Sequence, residues 1–280
     1  MQKIVKYGDI SINTESFGDR INPAILLIMG AASSLIWWNI EFCEMLVDKG
    51  YFVIRYDNRD TGQSTSYPVG KPGYTFEEMS DDAIEILDAY HIEKTIIMGM
   101  SMGGMLAQMI AIRHPDRLNG LVLHASMYFA EGSEKLPVYS EEVENFFNDY
   151  RNYTPQGYRD QVDYAFKQWQ ITHQSNRKYN LVEIYKTVEL DVERAIDYNS
   201  KLNHSFAEVT GDELIRIKEI TIPTLIIHGT LDNVTPYIHG EMLAKTIPNA
   251  VLLTLHGAGH ELHPDDYDSI VDAIIKLINK

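Results

Sequence analysis

Thr95-Ile96-Ile97-Met98-Gly99-Met100-Ser101-Met102-Gly103-Gly104 joins an apolar run to a helix start through Gly99-Met100-Ser101-Met102-Gly103. This is the G-x-S-x-G pattern of a sharp strand-to-helix turn that carries a nucleophilic serine at its apex. Glycines at 99 and 103 let neighbouring backbone come very close, and such a turn holds Ser101 in a strained conformation with its hydroxyl exposed. The following helix, through Met105, Leu106, Met109 and Ile110, begins at the serine, so free N–H groups and the helix dipole favour negative charge developing there.

Outward from this turn, short β-type runs alternate with helical segments, the pattern of a mostly parallel sheet covered on both faces. Ile4–Tyr7 and Ile10–Phe17 form a hairpin across Gly8-Asp9. Further strands are expected at 24–29, 52–56, 95–99, 120–125, 224–228 and 251–255, giving eight in all. Helices are expected near 38–49, at 75–90 with Thr75 and Glu78 as a capping-box pair, at 238–246, and through Tyr267, Ile270, Ile274 and Leu277. Residues 126–219 break the pattern: they have no long apolar strand, but Phe146, Phe147, Tyr150, Tyr164, Phe166, Trp169, Tyr179 and Tyr185 stand among charges at helical spacing. The expected organisation is therefore a core domain of residues 1–125 and 220–280 interrupted by a helical cap of residues 126–219. Both ends of that insertion leave the sheet near the serine, as a lid would.

A serine hydroxyl needs a base, held in turn by an acid that selects its tautomer. The strand at 224–228 runs into Gly229-Thr230-Leu231-Asp232, which sets Asp232 on the same sheet edge as Ser101, and the strand at 251–255 runs into His256-Gly257-Ala258-Gly259-His260. Asp232 is the candidate acid and His260 the candidate base. His256 still belongs to its strand end and His263 precedes Pro264 at a helix start, where a surface role is expected. The oxyanion donors are expected to be the N–H of Met102, after the nucleophile, and that of Ala31, after Gly30 in the loop following the third strand. Gly30, His124, Met127 and Trp169 are candidate substrate contacts. Asp57, Arg59 and Asp60 are expected to cross-link a tight loop by ion pairs and backbone hydrogen bonds.

The chain has 280 residues, 40 acidic against 24 basic, and a formal charge of −16. That charge opposes nucleic acid and anionic membranes, yet discourages self-association only weakly, so a homodimer stays among the expectations. A single cysteine, Cys43, permits no internal disulfide, and no secretion signal or membrane-length apolar run is present, which gives a cytoplasmic expectation. His256, His260 and His263 lack zinc-hydrolase spacing, and glycine motifs for phosphate are absent, so neither metal nor cofactor is expected. A serine nucleophile, not an aspartate, argues against epoxide hydrolase or haloalkane dehalogenase chemistry.

The serine turn and the Asp232 and His260 loops together resemble the α/β-hydrolase superfamily over about two thirds of the chain. Met29-Gly30, where many relatives place His-Gly, and Arg55-Tyr56-Asp57-Asn58-Arg59-Asp60-Thr61-Gly62-Gln63-Ser64 are similar to the aclacinomycin methylesterase group. The resemblance implies an α/β-hydrolase fold and an ester hydrolase with the same three site residues, acting on a small-molecule ester. Lactones, thioesters, carbon–carbon bond hydrolysis and perhydrolysis use the same residues, and a ligand receptor on the same fold is the alternative without turnover.

Overall fold

A computed structural model describes residues 1–149 and 153–278. Eight strands form one sheet: β1 (Gln2–Tyr7), β2 (Ile10–Phe17), β3 (Ala24–Ile28), β4 (Phe52–Tyr56), β5 (Thr95–Met100), β6 (Leu118–His124), β7 (Thr224–Gly229) and β8 (Val251–Leu255). Their order is β1-β2-β4-β3-β5-β6-β7-β8, antiparallel at β1/β2 and β2/β4 and parallel elsewhere. A mostly parallel eight-stranded sheet is what the alternating pattern leads one to expect, and its strand order is that of the α/β-hydrolase fold which the resemblance implies.

Every residue of β3, β4, β5 and β7 is buried because helices cover both faces, and alternate side chains feed different cores. Leu26, Ile28 and Ile97 point towards α2 (Phe76–Ala89), α3 (Met102–Arg113) and α7 (Ile238–Thr246). Ile25, Leu27, Ile96 and Met98 point towards α1 (Ile40–Asp48) and α8 (Tyr267–Ile278). α2 starts at the expected cap: Thr75 accepts the Glu78 N–H while Glu78 accepts the Thr75 N–H. Trp38 is fully buried in the second core, with Trp37 packed against its rim.

Between β6 and β7 the chain forms α4 (Glu141–Asp149), α5 (Gly157–Thr172), α6 (Leu181–Arg194) and a 3-10 run over Tyr198–Ser205. Phe146, Phe147, Tyr164, Phe166, Trp169, Tyr179 and Tyr185 stack mostly on one another or on near neighbours; Tyr150 lies outside the described residues. A small core of Val162, Ala165, Val188, Val192 and Tyr198 closes this insertion from within. Among the described residues no helix is long and apolar enough to cross a membrane.

Arg59, Asp57 and Asp60 cross-link as expected, although over longer reaches than one loop: Arg59 pairs with Asp82 on α2, Asp57 with Arg194 on α6, and Asp60 accepts from Tyr74 and Asn203. His263 departs from expectation. It is buried, accepting the Asp265 N–H and meeting the Lys178 carbonyl of the insertion at 3.2 Å, because the insertion covers the surface it would otherwise face.

Candidate active site

The turn after β5 holds Ser101 at φ 54° and ψ −119°, a conformation costly for a residue with a Cβ and tolerated where the surroundings over-determine it. The surroundings are specific. A side chain at Gly99 would run into the Gly103 carbonyl, and one at Gly103 would run into the carbonyls of Ile28 and Met29. The Ser101 N–H binds the His124 carbonyl of β6 at 2.9 Å, and the Ser126 hydroxyl binds the Ser101 carbonyl at 3.2 Å. Met102 opens α3, so its N–H has no acceptor within the helix.

Gly30 follows β3 on the same edge, and a Cβ there would sit 3.2 Å from Ser101 Cβ. Ala31 is exposed at this bend, with Ala32 next to it at φ 59°. The loop thus brings the backbone of residues 30–32 alongside the serine.

β7 and β8 end on that edge too, since both run parallel to β5 through β6. Their loops interlock: Leu231 N–H binds the Ala258 carbonyl at 2.8 Å and Gly257 N–H binds Thr230 Oγ1 at 2.9 Å. The result brings His260 Nδ1 to 3.1 and 2.9 Å from the two oxygens of Asp232. Asp232 Oδ1 also accepts the N–H groups of Val234 and Thr235 at 3.0 and 2.7 Å. Burial alone would raise the Asp232 pKa, but His260, then His228, outweigh it and hold the carboxyl well below the usual range. An ionised carboxylate only accepts, so Nδ1 of His260 carries a proton, and the lone pair of the neutral tautomer falls on Nε2. The hydrogen bonds of the His260 ring run to Asp232, and none joins it to Ser101 Oγ.

His228 is a further partner that pattern reading missed. Its Nε2 lies 2.7 Å from the Thr235 carbonyl and 3.4 Å from Asp232 Oδ2, with the ring wholly buried. The available signal was a histidine ending an otherwise apolar strand four residues before Asp232.

His124 and Trp169 stand differently from their expected role. His124 has no accessible surface and its ring meets the Glu261 backbone only outside ordinary hydrogen-bond geometry; burial, with His228 and His260, pushes its pKa down to about 3. Trp169 is 7% exposed and is enclosed by Phe166, His173 and Tyr179. Both are buried, His124 at the end of β6 and Trp169 within α5. Met127 is half-buried, its carbonyl accepting from Gln108.

The insertion is bonded to the loops after β7 and β8 and, across the site, to those after β3 and β4. Asn233, beside Asp232, donates to the Ile171 carbonyl and accepts the Ser140 N–H; Asn176 N–H binds the Gly257 carbonyl; Arg177 forms a two-point ion pair with Asp266. On the opposite side Asp191 accepts from Ser34 and Trp37, and Arg194 forks onto Asp57 at 2.8 and 2.8 Å. Among the described residues no group of three or more His, Cys, Asp or Glu side chains is arranged to hold a metal ion.

The family model for the alpha/beta hydrolase fold matches residues 23–267. Rhodomycin D methylesterase DauP of Streptomyces sp. (strain C5) is 27% identical, the alignment covering 97% of this chain and 96% of that protein. 3-Oxoadipate enol-lactonase 2 of Acinetobacter baylyi is 25% identical over 97% of this chain and 95% of its own. Among solved structures, an esterase from Exiguobacterium antarcticum superposes with a TM-score of 0.81 at 18% identity and full coverage of both chains.

Proposed function

The chain belongs to the alpha/beta hydrolase fold family, and from that premise we propose that it is a serine hydrolase cleaving a small or medium carboxylic ester through an acyl-enzyme. The observation that carries this reading is His260 Nδ1 bound to the buried, ionised Asp232, which leaves Nε2 as a base on the edge where Ser101 stands half-buried. In the proposed reaction Ser101 Oγ attacks the ester carbonyl carbon as His260 Nε2 takes its proton, and the carbonyl oxygen becomes an oxyanion. The N–H groups of Met102 and Ala31 stabilise that oxyanion. Collapse expels the alcohol with the proton from His260. Water, deprotonated by the same nitrogen, then attacks the acyl-serine, and a second collapse returns the carboxylic acid and free Ser101.

The similarity to rhodomycin D methylesterase and to an enol-lactonase along nearly the whole chain supports esters first and lactones as the second class to test. Residues 126–219 act in this reading as a cap whose inner side sets substrate choice, supported by its hydrogen bonds to the loops of Asp232 and His260. The test is fluorophosphonate labelling together with turnover of p-nitrophenyl acetate and butyrate. The native protein is expected to label and turn over, and Ser101→Ala to lose labelling and at least about a thousandfold in kcat. Undiminished labelling of a folded Ser101→Ala protein would remove Ser101 from the reaction.

A further inference from the structure

The loop that carries Ala31 is not held by the sheet domain alone. Ala32 stands at φ 59°, in the left-handed region that an alanine seldom adopts, and its N–H is bound at 2.9 Å by Nδ1 of His204, a residue of the insertion. Nε2 of the same ring lies 2.7 Å from the Arg59 carbonyl. A carbonyl only accepts, so Nε2 bears the proton and Nδ1 is a neutral acceptor, the form required to hold an N–H. The ring is 5% exposed, and burial lowers its pKa, which keeps it in that form. Ser34, Leu35 and Trp37 of the same stretch are tied to the insertion through Asp191, or through Asp57 and Arg194. His204 alone among these contacts engages the backbone of the residue adjoining Ala31, at the strained position itself.

We propose that His204 is a positioning residue for the oxyanion site: by binding the Ala32 N–H it fixes the left-handed turn that aims the Ala31 N–H at the developing negative charge. The inference rests on the serine-hydrolase reading above. Completion of the oxyanion site by the insertion makes that segment part of the machinery for the reaction itself, beyond any part in choosing substrate.

Two substitutions separate positioning from packing. The amide oxygen of His204→Asn falls where Nδ1 sits and can still accept from Ala32. The longer His204→Gln carries its amide to where Nε2 sits and can still donate to Arg59, leaving the Ala32 N–H unbound. The measurements are kcat and KM for p-nitrophenyl butyrate, inhibition by a trifluoromethyl ketone, which forms a tetrahedral oxyanion adduct with serine, and melting temperature. His204→Asn is expected to keep kcat within about threefold of the native protein. His204→Gln is expected to lose tenfold or more in kcat with KM nearly unchanged, and to lose ketone affinity in step. In the His204→Gln background, Ala32→Gly should recover part of the loss, because glycine takes the left-handed turn unaided. Equal kcat in the two single variants, a loss confined to KM, or a loss of kcat with ketone affinity intact would each overturn the proposal. Should both variants melt far below the native protein, His204→Asn must still exceed His204→Gln in kcat per folded molecule at low temperature, or the proposal falls. Failure of the native protein to label with fluorophosphonate would overturn the underlying reading instead, which keeps the two failures distinct.

Discussion

A single buried imidazole, His124, has a measurable cost. It has no accessible surface and meets the Glu261 backbone only outside ordinary hydrogen-bond geometry, so the native state holds it neutral, with a pKa of about 3, while the unfolded chain protonates it near the ordinary histidine value of about 6.5. Between those two values the unfolded state binds more protons than the native one, so stability falls as pH drops from neutrality towards 3. His173, also pushed down to about 3 by burial and by His260, adds to the same slope. Replacing His124 with leucine removes one such group at the loss of only its weak contact with the Glu261 backbone. Chemical denaturation of His124→Leu is expected to give a stability at pH 7 equal to the native protein's or higher by about 1 kcal/mol, with a shallower decline down to pH 4. A steeper decline would mean that His124 is satisfied in the native state.

At the level of elements, α2 illustrates how local sequence sets a boundary. Thr75 and Glu78 exchange side-chain-to-backbone bonds at its first turn, and Thr75→Ala is expected to cost about 1 kcal/mol, read as a lower denaturation midpoint with an unchanged slope. Elements of this kind were legible: β4, α7 and β8 begin and end where alternation and turn residues put them, and the loops of Asp232 and His260 stand on the edge that strand direction requires. β5 and β7 each run a residue further than their apolar runs, because pairing with neighbours extends through Met100 and Gly229. The 3-10 run Tyr198–Ser205 was not legible. It buries Ser200, Lys201, Asn203 and His204, whose partners are Asp60, Tyr198 and the Arg59 and Ala32 backbone, so it carries no apolar period to read. The burial of His124 was hidden for a related reason: position at a strand end does not say whether the side chain reaches open space.

For the whole molecule, the joint between insertion and core is ionic as well as apolar. Asp57 has no exposed side-chain surface and accepts from Arg194, Asn13, Leu35 and Gln63, linking α6, β2 and the turns after β3 and β4. Arg194→Met removes the cation and leaves the carboxylate buried, and is expected to destabilise the protein by about 3 kcal/mol. The double variant with Asp57→Asn should recover part of that loss in urea titration; no recovery would mean that Arg194 acts through packing. Strand order has a separate bearing on how the molecule is made. β7 and β8 lie at one end of the sheet and are also the last strands in the chain. As the polypeptide leaves the ribosome, the serine turn emerges early while Asp232 and His260 are still unsynthesised, and the apolar flank of β6 waits through the whole insertion for a neighbour. In the proposed reading a nascent or prematurely terminated chain therefore carries the serine without its base, unreactive and open to sticking to other chains along that flank, until residues 224–280 are made.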